Sequence, residues 1–234
     1  MKTAISKLSE LCDAAEKDGT GVSVLWADDG GNIFAHNADE RVVSASVIKV
    51  AIMCAALETL PADDYWTEKI TWMIITSDND ATNEIIDRFG FGAVNAFCEK
   101  HGLTQTVLAR RMLDYDAIAQ GRNNYTSARD TQRLYRLIFN GEILTPALRE
   151  TAKSILRRQR NQDYLLRNVW RECEFYHKTG TLDYLTHDSG VFVFPNGGKP
   201  VYLGAFLRNT RNIEGDPELL GEIGRTVTDY YLGE

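Results

Sequence analysis

The chain has 234 residues, of which 44% are hydrophobic and 25% charged, so it is long and apolar enough to bury a substantial globular core. Its 33 acidic and 26 basic residues give a net charge of −7, which argues against nucleic acid and anionic membrane surfaces as partners. Four cysteines are too few for a disulfide scaffold, and the four histidines show no metal-ligand spacing, so we expect neither a metal nor another cofactor.

The N-terminal segment predicts a helix followed by a hairpin. Ile5, Leu8 and Cys12 recur at helical spacing, and residues 21–27 and 32–37 are strand-like runs on either side of a Gly-rich turn. The segment lacks the apolar run and cleavage site of a signal peptide. We therefore expect a cytoplasmic protein for the chain as written, or a periplasmic or secreted one if a leader was removed.

Residues 42–160 are predicted to be mostly helical, and the first helix, residues 47–57, carries the pair Ser46 and Lys49. A spacing of three places both side chains on one helix face. A hydroxyl in the first turn lies at the positive end of the helix dipole, which favours a developing alkoxide. Apolar neighbours are expected to lower the pKa of Lys49, so that its amine can take the hydroxyl proton of Ser46.

A second polar block, Ser77-Asp78-Asn79, opens the middle of this helical stretch. The remaining helices are predicted at residues 80–89, 93–100, 115–120 and 127–139. Asp114 precedes the third of these as an N-cap would, and Thr126 is the expected cap of the fourth. Asn140-Gly141 is the expected end of that helix.

The C-terminal third predicts strands and a closing helix. The strands are expected at residues 174–178, 189–194 and 201–207, with a turn at 195–198. Lys178-Thr179-Gly180 lies at the end of the first strand, and Leu219, Ile223 and Val227 recur at helical spacing after the last. Together these elements predict an α+β fold, an antiparallel sheet with flanking terminal helices and an inserted all-α lobe.

Both chain ends are predicted to build the sheet, which fixes the expected domain boundaries. Residues 1–41 and 163–234 form the sheet domain with its terminal helices, and residues 42–162 form the all-α lobe. Ser46 and Ser77 then come from the lobe and Lys178 from the sheet. We expect these three side chains to meet in an active site at the seam, where apolar walls surround a few convergent polar groups.

Three short blocks follow one another along the chain: Ser46-Val47-Ile48-Lys49, Ser77-Asp78-Asn79 and Lys178-Thr179-Gly180. An S-x-x-K alone is expected about once by chance in a chain of this length, but the ordered trio is far rarer. With this trio the chain resembles the class A β-lactamase and penicillin-recognising serine hydrolase superfamily. The resemblance implies a β-lactamase-like fold.

The resemblance also implies a role for each residue of the three blocks. The implied catalytic residues are the nucleophile Ser46, the base Lys49, the proton donor Ser77 and its neighbour Lys178. The implied substrate-binding residues are Asn79, Thr179, Gly180 and Thr181. Lys178 and Thr179 would hold a carboxylate, so the implied partner is a small-molecule substrate that carries one. The backbone N–H groups of Ser46 and Thr181 would form the oxyanion hole.

The sequence departs from the family pattern around the predicted cleft. The gap between Ser46 and Ser77 is shorter than is typical, and the strand position that usually holds an Arg falls at about Ser189. The Glu that activates the deacylating water has no counterpart, because residues 110–127 contain none. The resemblance therefore leaves open how the acyl-enzyme is deacylated. It also leaves open the oligomeric state.

Two aspartates in that segment, Asp114 and Asp116, could replace this Glu as the deacylation base. An Asp side chain is one methylene shorter and reaches about 1.5 Å less far. Asp114 also precedes a short helical run that ends at Gly121, so we favour capping over catalysis for it.

The sequence as a whole predicts a serine hydrolase that forms an acyl-enzyme at Ser46 with β-lactams or related amides and esters. Two alternatives stay open. One is a penicillin-binding or sensing protein that is acylated and deacylates very slowly, and the other is a D-alanyl peptidase or esterase. The lifetime of an adduct with penicillin would distinguish the first alternative from a hydrolase.

Overall fold

The computed structural model describes residues 1–195, 198–210 and 215–233. Its helices are α1 (Lys2–Lys17), α2 (Lys49–Thr59), α3 (Asp64–Ile75), α4 (Asn79–Lys100), α5 (Tyr115–Ala119), α6 (Ala128–Asn140), α7 (Pro146–Arg157) and α8 (Gly215–Leu232). Its strands are β1 (Gly21–Asp28), β2 (Gly31–His36), β3 (Val42–Val43), β4 (Tyr125–Thr126), β5 (Glu174–Leu182), β6 (Leu185–Val193) and β7 (Val201–Arg208). A 3₁₀ turn over Ala45–Ile48 leads directly into α2.

Five strands form one antiparallel sheet in the order β2-β1-β7-β6-β5, so both ends of the chain build it. Helices α1 and α8 pack against each other and against the sheet, and α6 packs across β1, β6 and β7. This is the α+β architecture that the sequence predicts. Strand β5 lies at one edge of the sheet, where it contacts the 3₁₀ turn before α2.

Alternate side chains of the sheet enter two separate cores, because successive residues of a strand point to opposite faces. Val191 and Phe206 belong to the core that contains Ile52 and the other buried residues of α2. Phe192, the next residue of β6, packs instead with Leu8 of α1 and the inner face of α8. The sheet therefore separates the terminal helices from the helical segment that carries Ser46.

The last strands are longer than predicted. Strand β5 runs to Leu182 and β6 begins at Leu185, whereas the sequence predicts strands at residues 174–178 and 189–194. Gly180 and Asp188 are poor strand formers, but register pairing across a tight hairpin holds both in the ladder. The predicted turn at 195–198 includes residues 196 and 197, which lie outside the described residues.

The prediction that Thr126 caps α6 is wrong. The hydroxyl of Ser127 accepts the hydrogen bond from Asp130 N at 3.0 Å, and Ser127 is the N-cap. Thr126 is extended and pairs with Val42, so the segment predicted to be all-α also contains the short β3–β4 pair. Gly141 ends α6 as predicted, with a left-handed φ of +76°.

The sequence predicts this region only as mostly helical and does not locate α3 or α7. The helices predicted at 80–89 and 93–100 are the two halves of α4, which breaks at Gly90, where φ is +82°. Cys54 and Cys98 are buried free thiols. Among the described residues, every helix is too short or too polar to span a bilayer.

Candidate active site

Ser46 lies half-buried in the 3₁₀ turn that precedes α2, against strand β5. The residue before it, Ala45, has a φ of +42°, a left-handed conformation that costs a non-Gly residue about 1–3 kcal/mol. A Cβ on Gly180 would lie 3.0 Å from Ser46 N and 3.1 Å from Ala45 Cβ. A side chain at position 180 would therefore push the strand and the backbone of the nucleophile apart by a few tenths of an ångström.

Lys49 is fully buried one turn after Ser46. Its Nζ donates to Ser77 O at 2.7 Å and to Asn79 Oδ1 at 2.8 Å. Burial, and then the positive charge of nearby Lys178, lowers the pKa of Lys49 to about 6. Above that pH the amine is neutral, with two N–H groups for these two acceptors and a lone pair that can take a proton.

The hydroxyl of Ser77 lies between two buried lysines. Its Oγ is 3.2 Å from Lys49 Nζ and 3.1 Å from Lys178 Nζ. Burial lowers the pKa of Lys178 to about 7, and its Nζ also donates to Thr179 O at 2.8 Å. Ser77 has a left-handed φ of +59°, a strained conformation at a residue that contacts both amines. A hydroxyl held between two amines can pass a proton from one side of the cleft to the other.

These groups open into a cleft of about 460 Å³ between the helical segment and strand β5. Its described lining residues are Ser46, Ile75, Thr76, Ser77, Asn79, Gln159, Arg160, Asn161, Thr179, Gly180 and Thr181. Arg160 is the single charged residue among them, and none of these described residues carries a carboxylate. A larger cavity of about 590 Å³ lies between α6 and the sheet and contains none of the predicted site residues.

The structure brings together the residues of the three blocks and leaves out the two aspartates. Asp114 is the N-cap of α5, since its Oδ1 accepts from Ala117 N at 2.9 Å, and Asp116 is exposed on the first turn. Neither belongs to the described lining of the cleft. The capping role favoured for Asp114 is confirmed, and the carboxylate that would activate a deacylating water is not found among the lining residues.

The backbone beside these aspartates is fixed by a side chain of α4. Asn83 accepts from Met112 N at 2.7 Å and donates to Met112 O at 3.1 Å. Met112 is buried in the core, and Leu113, with a φ of +60°, is exposed. Two hydrogen bonds therefore tie the backbone at Met112, within the segment that lacks a Glu, to α4.

The fold brings to the site two residues that lie outside the three sequence blocks. Arg160 reaches the cleft because Arg160 N donates to Ile75 O at 3.1 Å and the Gln159 side chain donates to Ile74 O at 2.7 Å. His187 lies opposite Gly180 in the sheet and contacts Val43 O. No local signal identifies either contact. Among the described residues no cluster of His, Cys, Asp or Glu could hold a metal ion.

Comparisons with known proteins identify a matching family and similar folds. A family model described as the beta-lactamase enzyme family matches residues 2–72 and 65–231. A beta-lactamase from Streptomyces fradiae is 27% identical over 236 residues, covering 85% of this chain and 77% of that protein. A beta-lactamase structure from Sphaerobacter thermophilus has a TM-score of 0.84 at 22% identity, over 96% of this chain and 97% of that one. A PBP-A mutant in an acyl-enzyme complex with penicillin G has a TM-score of 0.86 at 24% identity, over 100% of this chain and 98% of that one.

Proposed function

The chain belongs to the beta-lactamase enzyme family, and from this premise we propose that it hydrolyses β-lactams or related amides and esters through an acyl-enzyme on Ser46. The observation that carries the proposal is the position of Ser77 Oγ, 3.2 Å from Lys49 Nζ and 3.1 Å from Lys178 Nζ, in the cleft that Ser46 lines. A nucleophile, a base with a lowered pKa and a proton relay are the groups that serine acylation requires.

Acylation starts when Ser46 Oγ attacks the substrate carbonyl carbon and the neutral amine of Lys49 takes the hydroxyl proton. The carbonyl oxygen becomes an oxyanion, which the backbone N–H groups of Ser46 and Thr181 stabilise. As the C–N bond breaks, the proton passes from Lys49 to Ser77 Oγ, while Ser77 gives its own proton to the leaving nitrogen. The positive charge that Lys178 carries in part near pH 7 supports the transient negative charge on Ser77.

Deacylation needs a water molecule that attacks the ester carbonyl and a base that takes its proton. The cleft supplies no carboxylate for this step among its described lining residues. Lys49 is neutral again after acylation and is the remaining base at the ester. Its two N–H groups stay hydrogen-bonded to Ser77 O and Asn79 Oδ1, and its lone pair is left to take the proton of the attacking water.

Whole-protein mass spectrometry after mixing with benzylpenicillin tests the proposal. A hydrolase shows a penicilloyl adduct that forms, maps to the Ser46 peptide and disappears as penicilloate accumulates. The family match favours this outcome over a penicillin-binding or sensing protein that stays acylated. A protein that forms no adduct and consumes no β-lactam, amide or ester would contradict the proposed function.

We predict that deacylation of penicilloyl-Ser46 is slower than acylation by about tenfold or more, because the described cleft lining offers the water no carboxylate and a well-placed general base is worth about 10²–10⁴ in rate. The Asp114→Asn and Asp116→Asn variants should keep the adduct lifetime within about twofold, since neither aspartate lines the cleft and Asn caps a helix as well as Asp does. The lifetime is read by mass spectrometry after the free penicillin is removed. An aspartate whose replacement lengthens it about tenfold is the base.

Arg160 supports the further proposal that the substrate carries a carboxylate. An arginine keeps its full charge at physiological pH, whereas the lowered pKa of Lys178 leaves that lysine only partly charged. Among the described residues no ion pair engages Arg160, and its guanidinium lies 5.7 Å from the centre of the Trp72 ring. The cation at the cleft wall is thus available to a substrate anion.

The Arg160→Gln variant should lower kcat/KM about tenfold for a substrate with a free carboxylate and leave that of its methyl ester within about twofold. The loss should shrink as salt is raised, since added ions screen an exposed charge. Arg158→Gln is the matched control, because Arg158 is exposed two residues earlier and lies outside the cleft lining. Equal losses for acid and ester would mean that Arg160 does not recognise the anion.

A further inference from the structure

We propose that His187 is a positioning residue, which holds the segment before Ser46 against the sheet so that the two oxyanion-hole donors stay aligned. The inference rests on the proposed acylation of Ser46. It concerns a side chain that neither belongs to the three sequence blocks nor lines the cleft. Its effect is transmitted through the backbone of Val43.

The two donors of the oxyanion hole come from different parts of the fold. Ser46 N–H belongs to the 3₁₀ turn before α2, and Thr181 N–H belongs to edge strand β5. Catalysis by such a pair depends on donors that lie about 2.7–3.1 Å from one developing oxyanion. A displacement of one element relative to the other would therefore weaken stabilisation of the transition state while leaving both N–H groups present.

Most hydrogen bonds of the nucleophile segment, residues 42–48, tie it to the helical side of the molecule. Val42 pairs with Thr126 in the β3–β4 ladder, and Ser44 N donates to Asn124 O at 2.9 Å. The His187 side chain makes the one hydrogen bond, among the described residues, that joins this segment to the five-stranded sheet. Its Nε2 is 2.9 Å from Val43 O, three residues before Ser46.

His187 contacts the nucleophile segment close to the place where Gly180 packs against Ser46. The two residues are register partners on neighbouring strands, and Gly180 lies so close to Ser46 N that a Cβ at this position would be 3.0 Å from it. The imidazole ring is fully buried, with its centre 5.0 Å from that of the Phe206 ring. The ring therefore has a fixed position from which it sets the distance between Val43 and strand β6.

The hydrogen bond also fixes the tautomer of His187. A carbonyl oxygen only accepts, so Nε2 must carry the proton and Nδ1 must be bare. Nδ1 is buried and has no partner among the described residues. Burial lowers the pKa of His187 to about 4, in agreement with a neutral ring that donates from Nε2. The contact is therefore a constant donor over the neutral pH range.

Gln and Asn substitutions separate the hydrogen bond from the bulk of the ring. The amide nitrogen of Gln can occupy the position of His Nε2, whereas that of Asn is one methylene too short to reach Val43 O. Acylation by a chromogenic β-lactam is followed by stopped flow, and affinity is measured for a boronic acid whose Ser46 adduct places an oxygen in the oxyanion hole. Thermal denaturation of each variant reports stability separately.

We expect His187→Asn to slow acylation about 30-fold and to weaken binding of the boronic acid by a similar factor. This loss is smaller than the rate factor of about 10²–10³ that removal of a whole oxyanion-hole donor costs, because both donors remain present. His187→Gln should recover the acylation rate and the affinity to within about fivefold, although both variants lose the ring and have similar melting temperatures. The control His101→Met removes a partly buried histidine at the end of α4 and should leave acylation unchanged.

Equal acylation rates and equal boronic acid affinities for the Asn and Gln variants would overturn the inference, because the donor would then have no effect of its own. An Asn variant with a lower melting temperature but a wild-type acylation rate would overturn it as well. If wild-type protein is not acylated at all, the proposed function fails instead, and the two failures are distinguished by that first measurement.

Discussion

Replacing Ser46 by Ala is expected to abolish covalent labelling by penicillin and to lower β-lactam hydrolysis by about 10⁴-fold or more. The hydroxyl is the atom to which the acyl group is attached, and the neighbouring lysines cannot replace it because both are fully buried. The protein should stay folded. Ser46 Oγ makes no hydrogen bond among the described residues, so its removal leaves no buried partner without a bond, and Ala suits a helical turn.

Mass spectrometry of the intact protein and its circular dichroism spectrum check the two parts of this prediction. Ser154→Ala is a suitable control, because it removes a serine hydroxyl from α7, outside the cleft lining. It should be labelled at the wild-type rate. Labelling of the Ser46→Ala protein at that rate, on any peptide, would remove Ser46 from the role of nucleophile.

Much of the site could be predicted because its chemistry is concentrated in short blocks. The spacing of Ser46 and Lys49 fixes their common face, and the structure places Lys49 in the buried position that the apolar neighbours indicate. The Asp114 cap was also predictable, since a capping side chain bonds to a backbone N–H three residues later. In each case the interacting groups are near neighbours in sequence, so spacing alone determines the geometry.

Contacts between distant segments could not be predicted in this way. The hydrogen bond between His187 and Val43 joins residues 144 positions apart, and it depends on the register of β5 against β6. Arg160 reaches the cleft because its backbone and the Gln159 side chain form hydrogen bonds with the end of α3. Nothing in the sequence of residues 159–161 predicts these hydrogen bonds. Tertiary pairing also lengthens β5 from its predicted end at residue 178 to Leu182.

The second large effect concerns Lys49, whose replacement by Met should slow acylation about 10³-fold or more. Two contributions are lost together, the base that takes the Ser46 proton and the donor that satisfies Ser77 O and Asn79 Oδ1. Lys49→Arg distinguishes them, because a guanidinium keeps N–H donors but cannot take up a proton near neutral pH. An Arg variant as slow as the Met variant identifies proton transfer as the dominant contribution. Retention of more than about a tenth of the wild-type rate would show that another group is the base.

The pH dependence of acylation provides an independent test of the same assignment. Lys49 acts as a base only when neutral, and its pKa is lowered to about 6, so the wild-type acylation rate should reach its maximum above that pH. It should decline again at higher pH as Lys178, whose positive charge assists Ser77, loses its proton. Below the pKa of Lys49, the rate should fall about tenfold per pH unit as the amine is protonated. Lys178 has a pKa lowered to about 7 and titrates as part of the same buried pair. The acid limb should disappear from the residual rate of Lys49→Met. If the limb persists unchanged in that variant, the group that titrates is Lys178, and Lys49 serves to hold Ser77 and Asn79 in place.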